Sequence, residues 1–325
     1  MAEVVLESVT LILKQIEEDN ADAVIITGPT ASGKSDLALH LALSIRGEII
    51  NADVGQFYEP LTIGTAKPDW RTSPVRHHLF DRLSSAQHMS VACYRAEVGR
   101  LIAEIKGRNN IPIIVGGSLF YIKSLFFAPK IWPDSDKMTK DEYSLFCDQL
   151  GTSQEQWEHL VAIDPKRAHV LNQRDIYRVK RALEIWYRYG VLPSLCQPLY
   201  DPICFFSLFY VQRSPEDLQK RIYTRTLEML RMGWLDEVNS LLGSNWESFL
   251  MEKGLIGYGE IITFLRECKN LKDLHKDDII NLSNHISRAT YQYAKRQDTF
   301  WRSFVRQLVD IQDLYNKPIV RDINV

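Results

Sequence analysis

Apolar positions at Val4, Val5, Leu11, Ile12 and Ile16 recur with helical spacing and predict an amphipathic helix over residues 3–18. Ala23–Thr27 is then an unbroken apolar run that stops at Gly28, and Asp36–Ser44 regains helical character, so the pattern reads strand, glycine-rich loop, helix. Glu48–Asn51 and Ile111–Val115 are two further β-rich runs, each ending in polar or glycine residues. Strands alternating with helical stretches predict a parallel α/β sheet. From Ala128 to Pro198 the pattern turns to Trp- and charge-rich helical segments punctuated by Pro129, Pro133, Pro165, Pro193 and Pro198. Cys204–Val211 returns as a strand, and residues 214–312 read as helix with a break around Gly254–Gly259. The expected organisation is a parallel-sheet core in residues 1–127, a helical insert in 128–198, and a second, mostly helical part of the core in 199–325.

Composition narrows the class. A chain of 325 residues with 45% hydrophobic content can bury a sizeable core. The formal net charge of −2 leaves no polybasic tail, so any nucleic-acid contact must come from a local basic surface. Five cysteines, none two residues from another, predict reduced thiols rather than a zinc site or a disulfide framework. The acidic start, with Glu3 and Glu7, lacks the charge pattern of a signal peptide, and no apolar run reaches the ~18 residues of a membrane helix. A cytoplasmic monomer without membrane contact is expected, with no zinc-finger extension beyond Val325.

The strongest chemical signal is Gly28-Pro-Thr-Ala-Ser-Gly33-Lys34-Ser35, a full-length P-loop placed between a strand and a helix. Backbone amides of Gly28, Thr30, Ala31, Ser32 and Gly33 would cradle phosphate, Lys34 would add a point charge, and Ser35 would place Mg²⁺ on the same phosphates. Nucleotide-hydrolysing relatives of this motif end a later apolar strand in a carboxylate, but here Ile113-Ile-Val115 runs into Gly116-Gly117-Ser118. Asp53 closes an early strand instead. In a parallel sheet Asp53, Ser118 and the P-loop can share one crevice, where Asp53 would serve as a base; on spacing alone it equally suits a turn or helix cap. Adjacent His77 and His78 lack a second ligand cluster and are read as packing or hydrogen-bonding residues, with no metal.

Nine segments in order, the P-loop Gly28–Ser35 among them, resemble the tRNA dimethylallyltransferase (IPP transferase) family along nearly the whole chain. The others are Asn51-Ala-Asp53, Ile63-Gly-Thr-Ala-Lys-Pro68, His77-His-Leu-Phe-Asp81, Val115-Gly-Gly-Ser118, Asp164-Pro165, Arg181-Ala-Leu-Glu184, Ile256-Gly-Tyr258 and Ala294-Lys-Arg-Gln297. The resemblance implies a P-loop that holds dimethylallyl diphosphate, with Mg²⁺, and a tRNA adenosine 3′ of the anticodon that supplies its N6 amine. Asp53 would be the base and Ser118 would keep the hydroxyl of the family's usual threonine. Implied tRNA contacts are Asp53, Val54, Gly55, Gln56, Ser118, Lys140, Arg174, Arg178, Gly257, Tyr258, Lys295 and Arg296. The insert stands where the family carries a helical tRNA-binding domain, and its Arg181 equally suits a pair with Glu184 across one turn.

Departures fall in functional stretches. Val54 and Gly55 follow Asp53 where the family continues with serine, Gly259 follows Tyr258, and Tyr291 replaces an arginine expected on the diphosphate. Arg288 or Lys295, about a turn away, is the expected substitute. The rivals are a catalytically weakened tRNA-binding homologue, a prenyltransferase of free adenine nucleotides, and a small-molecule P-loop kinase.

Overall fold

Parallel strands covered on both faces must be apolar along their length, and the short runs meet that condition. The computed structural model describes residues 2–128, 149–196, 198–267, 275–315 and 320–324. It begins with α1 (Ala2–Asp19), β1 (Ala23–Thr27), α2 (Lys34–Ile45) and β2 (Gly47–Asn51). Then come β3 (His77–His78), α3 (Val91–Gly107), β4 (Ile111–Gly116) and α4 (Leu119–Phe126). Every residue of β1 and β2 is buried.

The chain divides into two compact units, one of Met1–Leu125 with Pro202–Val325 and one of Phe126–Asp201. In the second, β5 (Phe127–Ala128) pairs antiparallel with β6 (Leu199–Tyr200), and α5 (Ser153–Ile163), α6 (Pro165–Val170) and α7 (Ile176–Tyr189) pack around Leu160, Val179 and Leu183. Asp164 caps α6 through Arg167 N at 3.0 Å and also accepts Ser194 N at 2.7 Å, which explains the Asp-Pro pair structurally.

The first unit resumes with β7 (Phe206–Gln212), then α8 (Pro215–Arg231), α9 (Trp234–Asn239), α10 (Asn245–Lys253), α11 (Tyr258–Glu267), α12 (Lys276–Tyr315) and β8 (Val320–Asn324). Its sheet is six-stranded and parallel throughout, in the order β3-β2-β4-β1-β7-β8. Val24, Ile26, Ile49, Ile113, Val115, Phe209 and Val211 turn to one face and meet α1 and α2. On the other face Tyr210 stacks on Trp301 of α12, ring centroids 4.2 Å apart.

The parallel α/β core with a mostly helical second part agrees with the pattern of the chain, and three details differ. Leu11 of α1 is exposed, while Val9 and Ile12 are the residues buried on α2. Strand β7 starts at Phe206 rather than Cys204, because Asp22 and Phe205 join through backbone and side-chain bonds before the ladder begins. The edge strands β3 and β8 escape a periodicity argument: one has two residues, and the other pairs with β7 only through tertiary contact.

Candidate active site

Because all six strands run the same way, the carboxyl ends of β1, β2, β4 and β7 open on one edge of the sheet. Backbone approach there is close: a Cβ on Gly116 would lie 2.1 Å from the Ala52 carbonyl carbon. Ser118 N donates to Ala52 O at 3.1 Å, and Ser118 Oγ accepts from Val54 N at 3.0 Å. Asn51 Oδ1 accepts from Asp53 N at 2.8 Å, and Asp53 Oδ1 accepts from Gly55 N at 3.1 Å, capping a 3-10 turn over Val54–Phe57. Asp53 therefore caps a turn, as one of the two readings open in the sequence expects, and it also lines a cavity.

Gly33 adopts φ 94° at the start of α2, a left-handed conformation that lets the P-loop turn its amides toward one point. Lys34 is buried, with Nζ 3.2 Å from Pro29 O. Three arginines that carry no motif in the sequence clasp the loop from outside. Arg213 Nε donates to Ser32 O at 2.6 Å, Arg221 Nε to Ala31 O at 2.8 Å, and Arg225 to Thr30 Oγ1 at 2.7 Å. Burial drives the Lys34 ammonium down to about 8, with Asp53 opposing and Arg225 reinforcing the shift. Burial likewise lowers the Arg225 guanidinium against the pull of Asp53. Two crowded, desolvated cations beside one carboxylate form a site that an anion would stabilise.

Gln297 joins the parts: its Oε1 accepts Thr30 N at 2.9 Å and its Nε2 donates to Gly117 O at 2.8 Å. This gives the last residue of the Ala294-Lys-Arg-Gln297 segment a role that the motif did not specify. A 390 Å³ cavity opens beside it, with Thr30, Asp53, Arg225, Tyr293 and Gln297 as polar lining and Met229, Trp234, Leu255, Ile256 and Ile286 as apolar lining. Burial and Asp53 push the Tyr293 phenol up to about 12, so it stays protonated. A second opening, of 660 Å³, shares Arg225 and is lined by Gly33, Lys34, Ser35 and Arg221.

The 62–67 loop contributes to both openings, Gly64 and Thr65 lining the first and Ala66 the second. Glu237 of α9 accepts Thr62 N, Ile63 N and Gly64 N at 2.9, 2.6 and 3.2 Å, and also Tyr258 OH at 2.8 Å. Gln56 Nε2 donates to Thr65 O at 3.0 Å. The Trp234 ring is wedged so closely that a Cβ on either Gly64 or Gly257 would come within 2.0 Å of it. Gln56, Gly257 and Tyr258 are thus structural supports of the cavity: Tyr258 is 1% exposed, and burial together with Glu237 holds its phenol well above the usual range.

Arg288, expected to take the missing arginine's place on the diphosphate, is exposed and lines neither cavity. On α12 the cavity-lining residues Ile286, Thr290, Tyr293 and Gln297 share one face, and Arg288 lies two residues off that repeat, on the other side. Tyr291 packs against Ala31, Leu218 and Ile222, with Lys295 Nζ 4.6 Å from its ring. Val54, Gly55 and Arg296 line the 390 Å³ cavity, and Lys295 is exposed. Arg174 and Arg178 are exposed on the second unit, Arg178 pairing with Asp175 at 3.3 Å; Lys140 lies outside the described residues. Arg181 does pair with Glu184, at 2.5 Å. His78 Nε2 sits 2.7 Å from Glu48, and His77 Nδ1 2.8 Å from Val75 O, both in sheet-edge hydrogen bonds.

Several known proteins are similar to this chain. A family model described as IPP transferase matches residues 56–304. The tRNA dimethylallyltransferase of Aquifex aeolicus (strain VF5) is 34% identical over 273 residues, 84% of this chain and 89% of that protein. The protein of that name from Geobacter sulfurreducens is 35% identical over 285 residues, 86% of this chain and 88% of its own. Among solved structures, a eukaryotic dimethylallyltransferase acting on tRNA has the same fold, with TM-score 0.71 at 24% identity over 93% of this chain and 82% of that one. A tRNA delta(2)-isopentenylpyrophosphate transferase from Staphylococcus epidermidis gives TM-score 0.55 at 26% identity, over 93% and 92% of the two chains.

Proposed function

The chain belongs to the IPP transferase family, and on that premise we propose that it is a tRNA dimethylallyltransferase, moving the dimethylallyl group of dimethylallyl diphosphate to N6 of the adenosine immediately 3′ of the anticodon. The observation that carries the site assignment is the meeting of Thr30, Asp53 and Arg225 in one cavity with an apolar wall. The diphosphate binds on the P-loop amides, Lys34 and Arg225, and the prenyl group and adenine occupy the 390 Å³ cavity. The N6 lone pair forms a bond to C1 of the dimethylallyl group as the C1–O bond breaks. The electron pair leaves with diphosphate, and the N6 proton passes to Asp53. Gly55 N fixes one Asp53 oxygen, which orients the carboxylate, and Val54 N fixes the Ser118 hydroxyl oxygen, leaving its proton to donate. Lys34 and Arg225 stabilise the charge that builds on the departing oxygen.

Mg²⁺ fits the Ser35 hydroxyl, which is exposed at the 660 Å³ opening beside Lys34, because this ion needs few protein ligands when phosphate oxygens and water complete its shell. When bound it neutralises charge on the diphosphate. No helix among the described residues is long and apolar enough to cross a membrane. That the protein works as a monomer in the cytoplasm is part of the same proposal and rests on the resemblance to tRNA-modifying relatives.

The test is transfer of label from dimethylallyl diphosphate to unmodified tRNA in Mg²⁺, for wild type and Asp53→Ala. The variant is expected to lose at least about a hundredfold in rate. An unchanged rate removes Asp53 as the base. Wild-type protein that binds tRNA without transferring label would instead be the weakened homologue.

A further inference from the structure

Most hydroxyls that line the 390 Å³ cavity spend their protons inside the protein. Thr65 Oγ1 donates to Leu61 O at 2.7 Å, Thr226 Oγ1 to Ile222 O at 2.9 Å, Thr290 Oγ1 to Ile286 O at 2.8 Å and Tyr258 OH to Glu237 at 2.8 Å. Thr30 Oγ1 is held by Arg225 at the P-loop end. Tyr293 differs, because its hydroxyl donates to no group among the described residues. Burial, and then Asp53, push this phenol up to about 12, so the proton stays in place, while Gln297 acts on the oxygen as a donor. A neutral O–H without an acceptor therefore stands in the same cavity as Asp53.

The ring is held from two sides. Tyr293 lies one helical turn, about 6 Å, before Gln297, which is itself bonded to Thr30 N and Gly117 O. The Arg296 guanidinium lies 5.8 Å from the Tyr293 ring centroid. Asp53 thus offers an acceptor and Tyr293 a donor, and the adenine edge is their complement, since the N6 amine donates and N1 beside it accepts. Guanine presents the reverse, an acceptor oxygen at C6 and a proton on N1. Bases taken out of their stack are read along this Watson–Crick edge. N7 also flanks N6, but it accepts in both purines and so cannot separate them.

We propose that Tyr293 selects adenine as the acceptor base, its hydroxyl donating to N1 while Asp53 accepts from N6. This rests on the reading of a tRNA adenosine as substrate and adds to it the group that rejects guanosine. Guanine would turn O6 toward the Asp53 carboxylate and N1–H toward the phenol proton, leaving polar groups unpaired in a site that excludes water.

The experiment measures kcat/KM for label transfer from dimethylallyl diphosphate to tRNA that carries, 3′ of the anticodon, adenosine or its analogues with CH in place of N1 or of N7. Wild type is compared with Y293F, which keeps the ring and whose intact fold is checked by its affinity for dimethylallyl diphosphate. Loss of N1 is expected to cost wild type about ten- to a hundredfold, and Y293F to lose as much on adenosine itself. The two losses should not add, so that Y293F treats adenosine and the N1 analogue alike, while the N7 analogue matches adenosine with both proteins. The double comparison cancels whatever the missing nitrogen does to the amine, and a merely structural role for Tyr293 would leave the N1 penalty in place. A Y293F protein that still pays the wild-type penalty, a wild type that pays none, or a variant that loses sensitivity to N7 instead overturns the assignment and leaves the transferase reading intact. Wild-type protein that transfers nothing to adenosine overturns both.

Discussion

Lys34 is a cation only 8% exposed, and its energetics follow from that placement. Its folded value of about 8 lies below the 10.5 of the exposed group, so between those values the unfolded chain carries more protons and stability rises with pH. Below pH 8 the buried charge costs up to about 3 kcal/mol. Lys34→Met is therefore expected to raise the Tm of the ligand-free protein at pH 7, by an amount that shrinks above pH 8, and to abolish diphosphate binding. A variant no more stable than wild type at pH 7 would contradict this. For the same reason wild-type affinity for dimethylallyl diphosphate, followed by titration, should weaken as pH rises through 8.

At the scale of elements, the reaction edge depends on residues that fasten strands and loops from a distance. Glu48, 1% exposed in β2, binds Arg108 at 2.7 Å, Asn110 at 2.7 Å and His78 at 2.7 Å, tying β2 to β3 and to the end of α3. Burial alone would raise its carboxyl, but those hydrogen bonds prevail and hold it at about 2. Its contribution is fully present above about 4.5 and is lost as pH falls toward 2. Glu48→Gln should cost about 2 to 3 kcal/mol at pH 7 in denaturant melts, and the gap to wild type should close on acidification through that window. The 62–67 loop is similarly confined: a Cβ on Gly64 would meet Trp234 Nε1 at 2.0 Å. Gly64→Ala should lower both Tm and kcat/KM, because the loop must move away from the cavity it walls. Normal kinetics in that variant would show that the wall is dispensable.

Across the whole molecule, the features legible in the chain are those whose chemistry is local. The P-loop is one segment whose amides converge through its own backbone, and the buried runs of β1, β2 and β4 required helices on both faces. Asp53 and Ser118 are legible because parallel strands bring their carboxyl ends to one edge. Arg213, Arg221 and Arg225 are not, since they reach the P-loop from 181 to 195 positions away and arginines on a helix carry no mark of their target. Gln297 stands in a recognisable segment, but its bridge from Thr30 to Gly117 exists only once α12 lies across the sheet edge. Arg288 lines neither cavity, because one-turn proximity to Tyr291 says nothing about which side of a helix the cavity occupies. The sequence by itself determined the core class, the phosphate loop and the family, all products of local geometry or ordered motifs. Tertiary structure alone decided which distant cations clasp the loop, which residues wall the cavity and which face of α12 stays exposed, because those depend on how helices pack rather than on how they form.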